Sequence, residues 1–287
     1  MAALFHKMVI AGVGLIGASL ALAAREHGLV EEIVGYGRGE KNLRYALDHG
    51  MIDAYFLSPE KFPAGVDFLV LGTPVAAIAP LTKEFLPHMQ PGCVVSDVGS
   101  VKAEIIRDME KLLPPAMPFV GAHPIAGGEQ WGAEAARANL FIGSRCLLTP
   151  TKKTDRSALE KVASLWKKVG AKVEELDAET HDKILGLVSH LPHVLVYGLV
   201  NMMNRARVDS TDVIEYCGGG FKDFTRIASS RPELWRDICL LNRQAVSAGL
   251  TDYIDELEKL KRLIDEGKGP ELEREFAMAN EARRRLS

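Results

Sequence analysis

Residues 8–24 read Met8-Val-Ile-Ala-Gly12-Val-Gly14-Leu15-Ile16-Gly17-Ala-Ser-Leu-Ala-Leu-Ala-Ala24, an uncharged run between Lys7 and Arg25. Composition alone admits a signal-peptide core, a short membrane span, or a buried strand, turn and helix. The glycines favour the third reading. They follow a Val/Ile-rich stretch, residues 7–11, that reads as a strand, and they open a stretch, residues 15–27, that reads as a helix. In that setting GxGxxG has a physical meaning. Gly12 permits a tight turn, Gly14 lets a pyrophosphate approach the backbone, and Gly17 lets helix and strand pack closely. The unpaired N–H groups at the start of the helix, around Leu15 and Ile16, then attract phosphate. The alternative is a glycine-rich turn that holds nothing.

Outward from this run the pattern continues. Residues 32–36, 68–71, 94–96, 119–121, 146–149 and 172–176 read as short apolar strands, and residues 40–49, 75–89, 100–113 and 158–169 as the segments between them. Alternation of this kind predicts a mostly parallel sheet with helices on both faces. After Asp177 the pattern becomes helical, with no convincing strand. Residues 181–205 are apolar on more than one face, so burial on several sides is expected, with a kink at Pro192. Ser230-Arg-Pro-Glu233 reads as a capping box opening a helix to Leu241. Residues 247–266 and 271–285 read as two further helices across a turn at 265–270. The expected organisation is α/β, a Rossmann dinucleotide-binding domain over residues 1–176, followed by an all-α domain over 177–287. No other stretch is expected to be able to cross a bilayer.

Length and charge narrow the function. A chain of 287 residues has room for about two domains. Its 35 Lys+Arg against 38 Asp+Glu give a net charge of −3, which disfavours a general nucleic-acid binder. Cys93, Cys146, Cys217 and Cys239 are scattered, with neither disulfide density nor zinc spacing. Reduced thiols in a cytoplasmic protein, with no membrane, no nucleic acid and no metal, are expected.

Polar residues gather where strands end. Gly72-Thr73-Pro74-Val75, Ser96-Asp-Val-Gly-Ser100-Val-Lys102 and Gly121-Ala-His123-Pro-Ile-Ala-Gly-Gly128-Glu129 each follow a predicted strand, at the sheet edge where α/β folds bind ligands. On spacing alone, His123 divides evenly between a structural histidine and a functional one. At the end of the second strand, where NAD enzymes usually carry an acid for the ribose, stands Gly35-Tyr36-Gly37-Arg38-Gly39-Glu40. Arg38 suits a 2′-phosphate and tilts the reading toward NADP, while Glu40 keeps NAD open. His190 and His193 are three apart without an acidic ligand beside them.

These stretches, with Ser189-His-Leu-Pro-His193, Gly218-Gly-Gly-Phe-Lys-Asp-Phe-Thr-Arg-Ile-Ala228 and Leu234-Trp-Arg-Asp-Ile238, resemble the prephenate dehydrogenase family, which includes arogenate and cyclohexadienyl dehydrogenases. The resemblance spans nearly the whole chain. It implies a Rossmann domain, a helical domain that forms a homodimer, and oxidative decarboxylation of prephenate to 4-hydroxyphenylpyruvate with hydride transfer to NAD(P)+ in tyrosine biosynthesis. Arogenate dehydrogenase, giving tyrosine directly, and a dual-specificity cyclohexadienyl dehydrogenase are the alternatives. By resemblance, His123 accepts the proton of the substrate 4-hydroxyl, with activity rising through a pKa near about 6–7, and Ser100 orients it. Thr73, Pro74, Val75, Ser100 and Lys102 lie along the nicotinamide. His193, Trp235, Gly128 and Glu129 line the substrate cleft. Arg226 grips a carboxylate by its two-pronged fork, braced by Asp223.

The family often has Thr or Ser where Gly128 stands, which leaves prephenate against arogenate open. The chain ends at Ser287, without room for the regulatory ACT domain or chorismate mutase of some relatives, so any tyrosine inhibition is expected at the active site. Two rivals differ in kind. A β-hydroxyacid dehydrogenase would need a catalytic lysine on its helical domain, and none is evident. A non-catalytic dinucleotide sensor would keep the glycine cradle without needing His123, Ser100 and Arg226 together.

Overall fold

Strand β1 (Phe5–Ala11) has no exposed surface from Met8 to Ala11. Its neighbour β4 (Phe68–Leu71) is buried along its whole length, as expected of parallel strands covered on both faces. Successive side chains alternate between two apolar blocks: Met8 and Ile10 enter one, Val9 and Ala11 the other. The computed structural model describes residues 3–128 and 130–286. With β2 (Val30–Tyr36), β3 (Ala54–Phe56), β5 (Val94–Asp97) and β6 (Phe119–Val120), the strands form a six-stranded parallel sheet in the order β3-β2-β1-β4-β5-β6. This is the doubly wound order, and its direction reverses between β1 and β4.

Helix α1 (Leu15–Glu26) follows β1 through the glycine turn. Gly12 has φ +99, and a Cβ there would lie 2.5 Å from the carbonyl of Gly72. At Gly17 a Cβ would run into the carbonyl oxygen of Gly12 and come within 2.8 Å of Ile10 Cγ2. Gly14, by contrast, faces open space. The uncharged run is therefore a strand, turn and helix built into the core. The other helices of this part are α2 (Glu40–Asp48), α3 (Ile78–Phe85), α4 (Ala103–Leu112) and α5 (Arg156–Lys168). A second sheet joins β7 (Ala122–Pro124), β8 (Arg145–Leu148) and β9 (Lys172–Glu175), with β7 antiparallel to β8.

Several expectations need correcting. The edge strand β3 has only three residues and was not read from the sequence. The segment at 181–205 begins as α6 (Ala178–Leu185), passes through a π-turn (Gly186–His190) and continues as α7 (Leu191–Arg205). Pro192 sits in the first turn of α7. Lacking an N–H, it leaves the ladder open there, and the extra residue of the π-turn lies directly before it. Burial on several sides is not observed within the chain: Ile184, Leu187, Val188 and Met202 are exposed. By length and composition alone, Ala178–Arg205 is also long and apolar enough to cross a membrane, although only 28% of its most apolar window is buried. A two-residue ribbon, β10 (Arg207–Val208) and β11 (Thr211–Asp212), interrupts the helical part. The Ser230 capping box is not formed. Arg231 occupies the cap of α9 (Pro232–Leu241) without a side-chain bond, and the Ser230 carbonyl accepts from Tyr197 Oη at 2.7 Å.

The residues up to Asn242 form one compact unit, which includes α6, α7, α8 (Gly219–Thr225) and α9. From Arg243 a second unit comprises α10 (Arg243–Asp265) and α11 (Gly269–Arg284), joined by Lys259 Nζ on Glu275 at 2.6 Å.

One ion pair organises the sheet edge. Lys102 and Asp97 are both fully buried and directly paired. Asp97 Oδ2 also accepts from Gly99 N at 2.9 Å and Oδ1 from Ala122 N at 3.1 Å, while Lys102 Nζ donates to Ala122 O at 2.9 Å. Burial pushes the Lys102 ammonium below its ordinary pKa, and the Asp97 carboxylate acts against that shift. Removing one partner strands the other charge. Lys102→Met is expected to destabilise the fold by about 3–5 kcal/mol in urea unfolding; a loss under about 1 kcal/mol shows that the pair does not hold this edge together.

Candidate active site

Backbone geometry builds the cofactor side. Gly12 N donates to Tyr36 O at 2.8 Å and Gly72 N to Ala11 O at 2.7 Å, so the turns after β1, β2 and β4 meet at the switch point. The turn Val75–Ala77 packs against α9. Thr73 precedes it, and its buried hydroxyl has no hydrogen-bond partner. Another buried polar atom there, Trp235 Nε1, also lacks a partner among the described residues. Native folds rarely leave such groups unsatisfied without a ligand or water to take them. Together with the open approach at Gly14, this edge fits a dinucleotide.

The ribose end matches the sequence. β2 ends at Tyr36 without an acid, Arg38 is exposed just beyond it, and Glu40 accepts a hydrogen bond from Tyr55 Oη at 3.0 Å.

His123 lies in β7, one residue past the Ala122 clamped by Asp97 and Lys102. It is half-buried. Its Nδ1 is 2.9 Å from His181 Nε2, and His181 Nδ1 is 2.8 Å from Asp182 Oδ1. Burial first, then the neighbouring His181, Lys102 and His190, holds the His123 pKa well below 6.5. The ring is therefore neutral at ordinary pH. The Nδ1 side of the ring is taken by His181, so an orienting contact from Ser100 falls to the other side of His123. The Ser100 backbone lies beside His190. Lys102 does not lie along a cofactor, because it has no exposed surface and its ammonium is committed to Asp97 and Ala122.

The remaining candidates sit on the helices. His193 stacks on Trp235 with ring centroids 3.4 Å apart, and its Nδ1–H donates to Ser189 O at 2.9 Å, which leaves Nε2 as the acceptor. Burial lowers its pKa. His190 is fully buried and accepts from Asn242 Nδ2 at 3.0 Å, and burial pushes its pKa down to about 4. Arg226 opens the turn Arg226–Ser229 after α8, and this turn packs on α7; Arg226 and Asp223 are exposed. Gly128 is exposed, and Glu129 lies outside the described residues. No group of three or more metal-ligating side chains occurs among the described residues.

His181 and Asp182 escaped the sequence reading. The signal was present, however: a His-Asp pair opens an otherwise apolar helical stretch, with His181 four residues from the buried Leu185 and so on the inward face.

A family profile described as "Prephenate dehydrogenase, nucleotide-binding domain" matches residues 20–175, and one described as "Prephenate dehydrogenase, dimerization domain" matches residues 177–278. A prephenate dehydrogenase of Bacillus subtilis is 34% identical, over 96% of this chain and 75% of the relative. A cyclohexadienyl dehydrogenase of Zymomonas mobilis is 33% identical, over 97% of this chain and 95% of the relative. The crystal structure of prephenate dehydrogenase from A. aeolicus, in complex with hydroxyphenyl propionate and NAD+, superposes with a TM-score of 0.93 at 37% identity, covering 98% of both chains. With a nucleotide-binding parallel sheet followed by a helical dimerisation domain, and matches along nearly its whole length, the chain belongs to the prephenate dehydrogenase family of NAD(P)-dependent oxidoreductases.

Proposed function

We propose that this chain oxidatively decarboxylates prephenate to 4-hydroxyphenylpyruvate. The observation that carries the reading is His123, a neutral imidazole at the ligand-binding edge of the sheet with one nitrogen held by His181 and the other without a hydrogen-bond partner among the described residues. The nicotinamide, when bound, accepts hydride from ring C4. The open nitrogen of His123 takes the proton of the C4 hydroxyl as that hydride leaves. The C1–carboxylate bond then breaks, CO2 departs, and its electron pair completes the aromatic ring. The proton held by His123 returns to the phenolic oxygen. Aromatisation drives the step, so the residues need only bind, orient and move one proton.

Arg226 is proposed to bind a substrate carboxylate, with Asp223 bracing it and His193, Trp235, Gly128 and Glu129 lining the cleft. Thr73, Pro74 and Val75 are assigned to the nicotinamide side, and Gly12, Gly14, Leu15, Ile16 and Gly17 to the phosphates. Ser100 is proposed to lie beside the nicotinamide and to help orient His123. Arogenate remains the second reading, because exposed Gly128 offers no side chain at the position where relatives place a hydroxyl. The nucleotide-binding domain is taken to end near residue 176. The helices after it are proposed to pair with a second copy of the chain, which would cover exposed Ile184, Leu187, Val188 and Met202. Two buried and two half-buried thiols, none in a disulfide, suit a cytoplasmic enzyme.

His123→Asn is expected to lower kcat by about 100-fold or more while cofactor affinity, read by fluorescence titration, stays within about threefold. A variant retaining a tenth of the parent rate removes His123 from the chemistry, and a parent inactive on prephenate and arogenate favours a dinucleotide sensor.

The pH profile has a definite sign. A base must be neutral, and the His123 pKa is depressed, so activity persists as pH falls past 6.5 and is lost only below it. This moves the acid limb below the range that the family resemblance alone suggests. A kcat/KM profile falling off at neutral pH contradicts the assignment.

Arg38 leads to a preference for NADP+ over NAD+. In Arg38→Ala, kcat/KM for NADP+ should drop about tenfold or more while that for NAD+ barely changes. A strong NAD+ preference in the parent enzyme refutes this.

A further inference from the structure

We infer that His181, held by Asp182, is a positioning residue that selects the tautomer of His123 and so makes Nε2 the atom that receives the substrate proton. The inference rests on the reading of His123 as the base, and it concerns a pair of residues outside the expected site.

Asp182 caps the N-terminus of α4: its Oδ1 accepts from Lys102 N at 2.8 Å and its Oδ2 from Ala103 N at 2.9 Å. Each oxygen of this 6%-exposed carboxylate thus serves as an acceptor at the positive end of a ten-residue helix. An ionised carboxylate only accepts hydrogen bonds. His181 Nδ1, 2.8 Å from Oδ1, must therefore carry a hydrogen. In neutral His181 the Nε2 atom is then a bare lone pair. His123 Nδ1 lies 2.9 Å from that lone pair and must be the donor. The proton of neutral His123 is thus on Nδ1, and Nε2 is left basic. Each bond in the chain has one permitted direction, and its last member is the nitrogen without a hydrogen-bond partner among the described residues.

The same arrangement stabilises the product of proton transfer. When His123 becomes cationic, its Nδ1–H points at a lone pair whose own ring is anchored to an anion. The other groups around the pair, Lys102 (itself paired to Asp97) and His190, act against that charge. If His181 were protonated at Nε2, it would offer a hydrogen to His123 Nδ1, move the His123 proton to Nε2 and abolish the base.

Two measurements test this on the full chain. The first is a two-bond 1H–15N spectrum of ligand-free protein labelled at histidine, with His123 assigned by its loss in His123→Asn. A proton on Nδ1 and a bare Nε2 are expected; a proton on Nε2 overturns the inference. This readout needs no turnover, so it succeeds or fails independently of the substrate assignment. The second compares two variants. In His181→Asn the amide reaches Asp182 but not His123. In His181→Gln the longer side chain can present its carbonyl to the His123 Nδ1–H. His181→Asn is expected to lower kcat about tenfold or more with KM within about threefold, and His181→Gln to recover at least about threefold of the loss. A smaller loss, or no recovery by glutamine, reduces His181 to a packing residue.

Discussion

Two opposite charges buried without any contact with water hold this sheet edge together. Lys102 and Asp97 would each be expensive to desolvate alone, and their mutual attraction is supplemented by further hydrogen bonds to the backbone around them. Asp97 accepts from Gly99 and Ala122, and Lys102 donates to the Ala122 carbonyl. Both backbone polar groups of Ala122 are thereby fixed by one ion pair. The backbone N–H of Lys102 goes in another direction, to Asp182 on α6. A single residue so connects the end of β5, the start of α4, the strand carrying His123 and the helix carrying His181. A proton-transfer site needs fractions of an ångström of control, and this connection keeps both imidazoles on rigid elements.

What the sequence revealed and what it hid divide along physical lines. Gly12 and Gly17 were legible because they belong to one short GxGxxG pattern between a strand and a helix; at Gly17 the atoms that a side chain would strike belong to the same turn and strand, Gly12 O and Ile10 Cγ2, whereas at Gly12 they come from Gly72 and Thr73 in the turn after β4. The parallel strands were legible because full burial leaves continuous apolar runs. Strand β3 was not, since three residues at a sheet edge need little apolar character. His123 stood out as a polar residue just past a strand. Its partner did not, because His181 lies 58 residues away on another element. Lys102 was misplaced for the same reason in reverse. A motif shows that a lysine is present but not which way its ammonium points, and here the acid five residues earlier captures it.

The apolar helical stretch shows how one signal can serve two ends. Its inward face carries His181, Asp182 and His190, all buried and hydrogen-bonded. Its outward face carries Ile184, Leu187, Val188 and Met202, exposed on the isolated chain. All-round hydrophobicity therefore did not mean burial within one chain. A membrane span would not bury Asp182 against the backbone of a neighbouring α/β element. An open apolar face on a family dimerisation domain calls instead for a second protein surface.

The electrostatics assign different work to different cations. An arginine side chain offers a planar fork that suits the carboxylate-binding role proposed for Arg226. A histidine titrates, and a base that became cationic near neutrality would bind an anionic substrate well while being unable to accept its proton. Burial of His123, with Lys102 and two further histidines around it, removes that conflict by pushing protonation to lower pH. Attraction for the substrate and readiness to take its proton are thereby placed on separate side chains. Neither has to be weakened for the other to work.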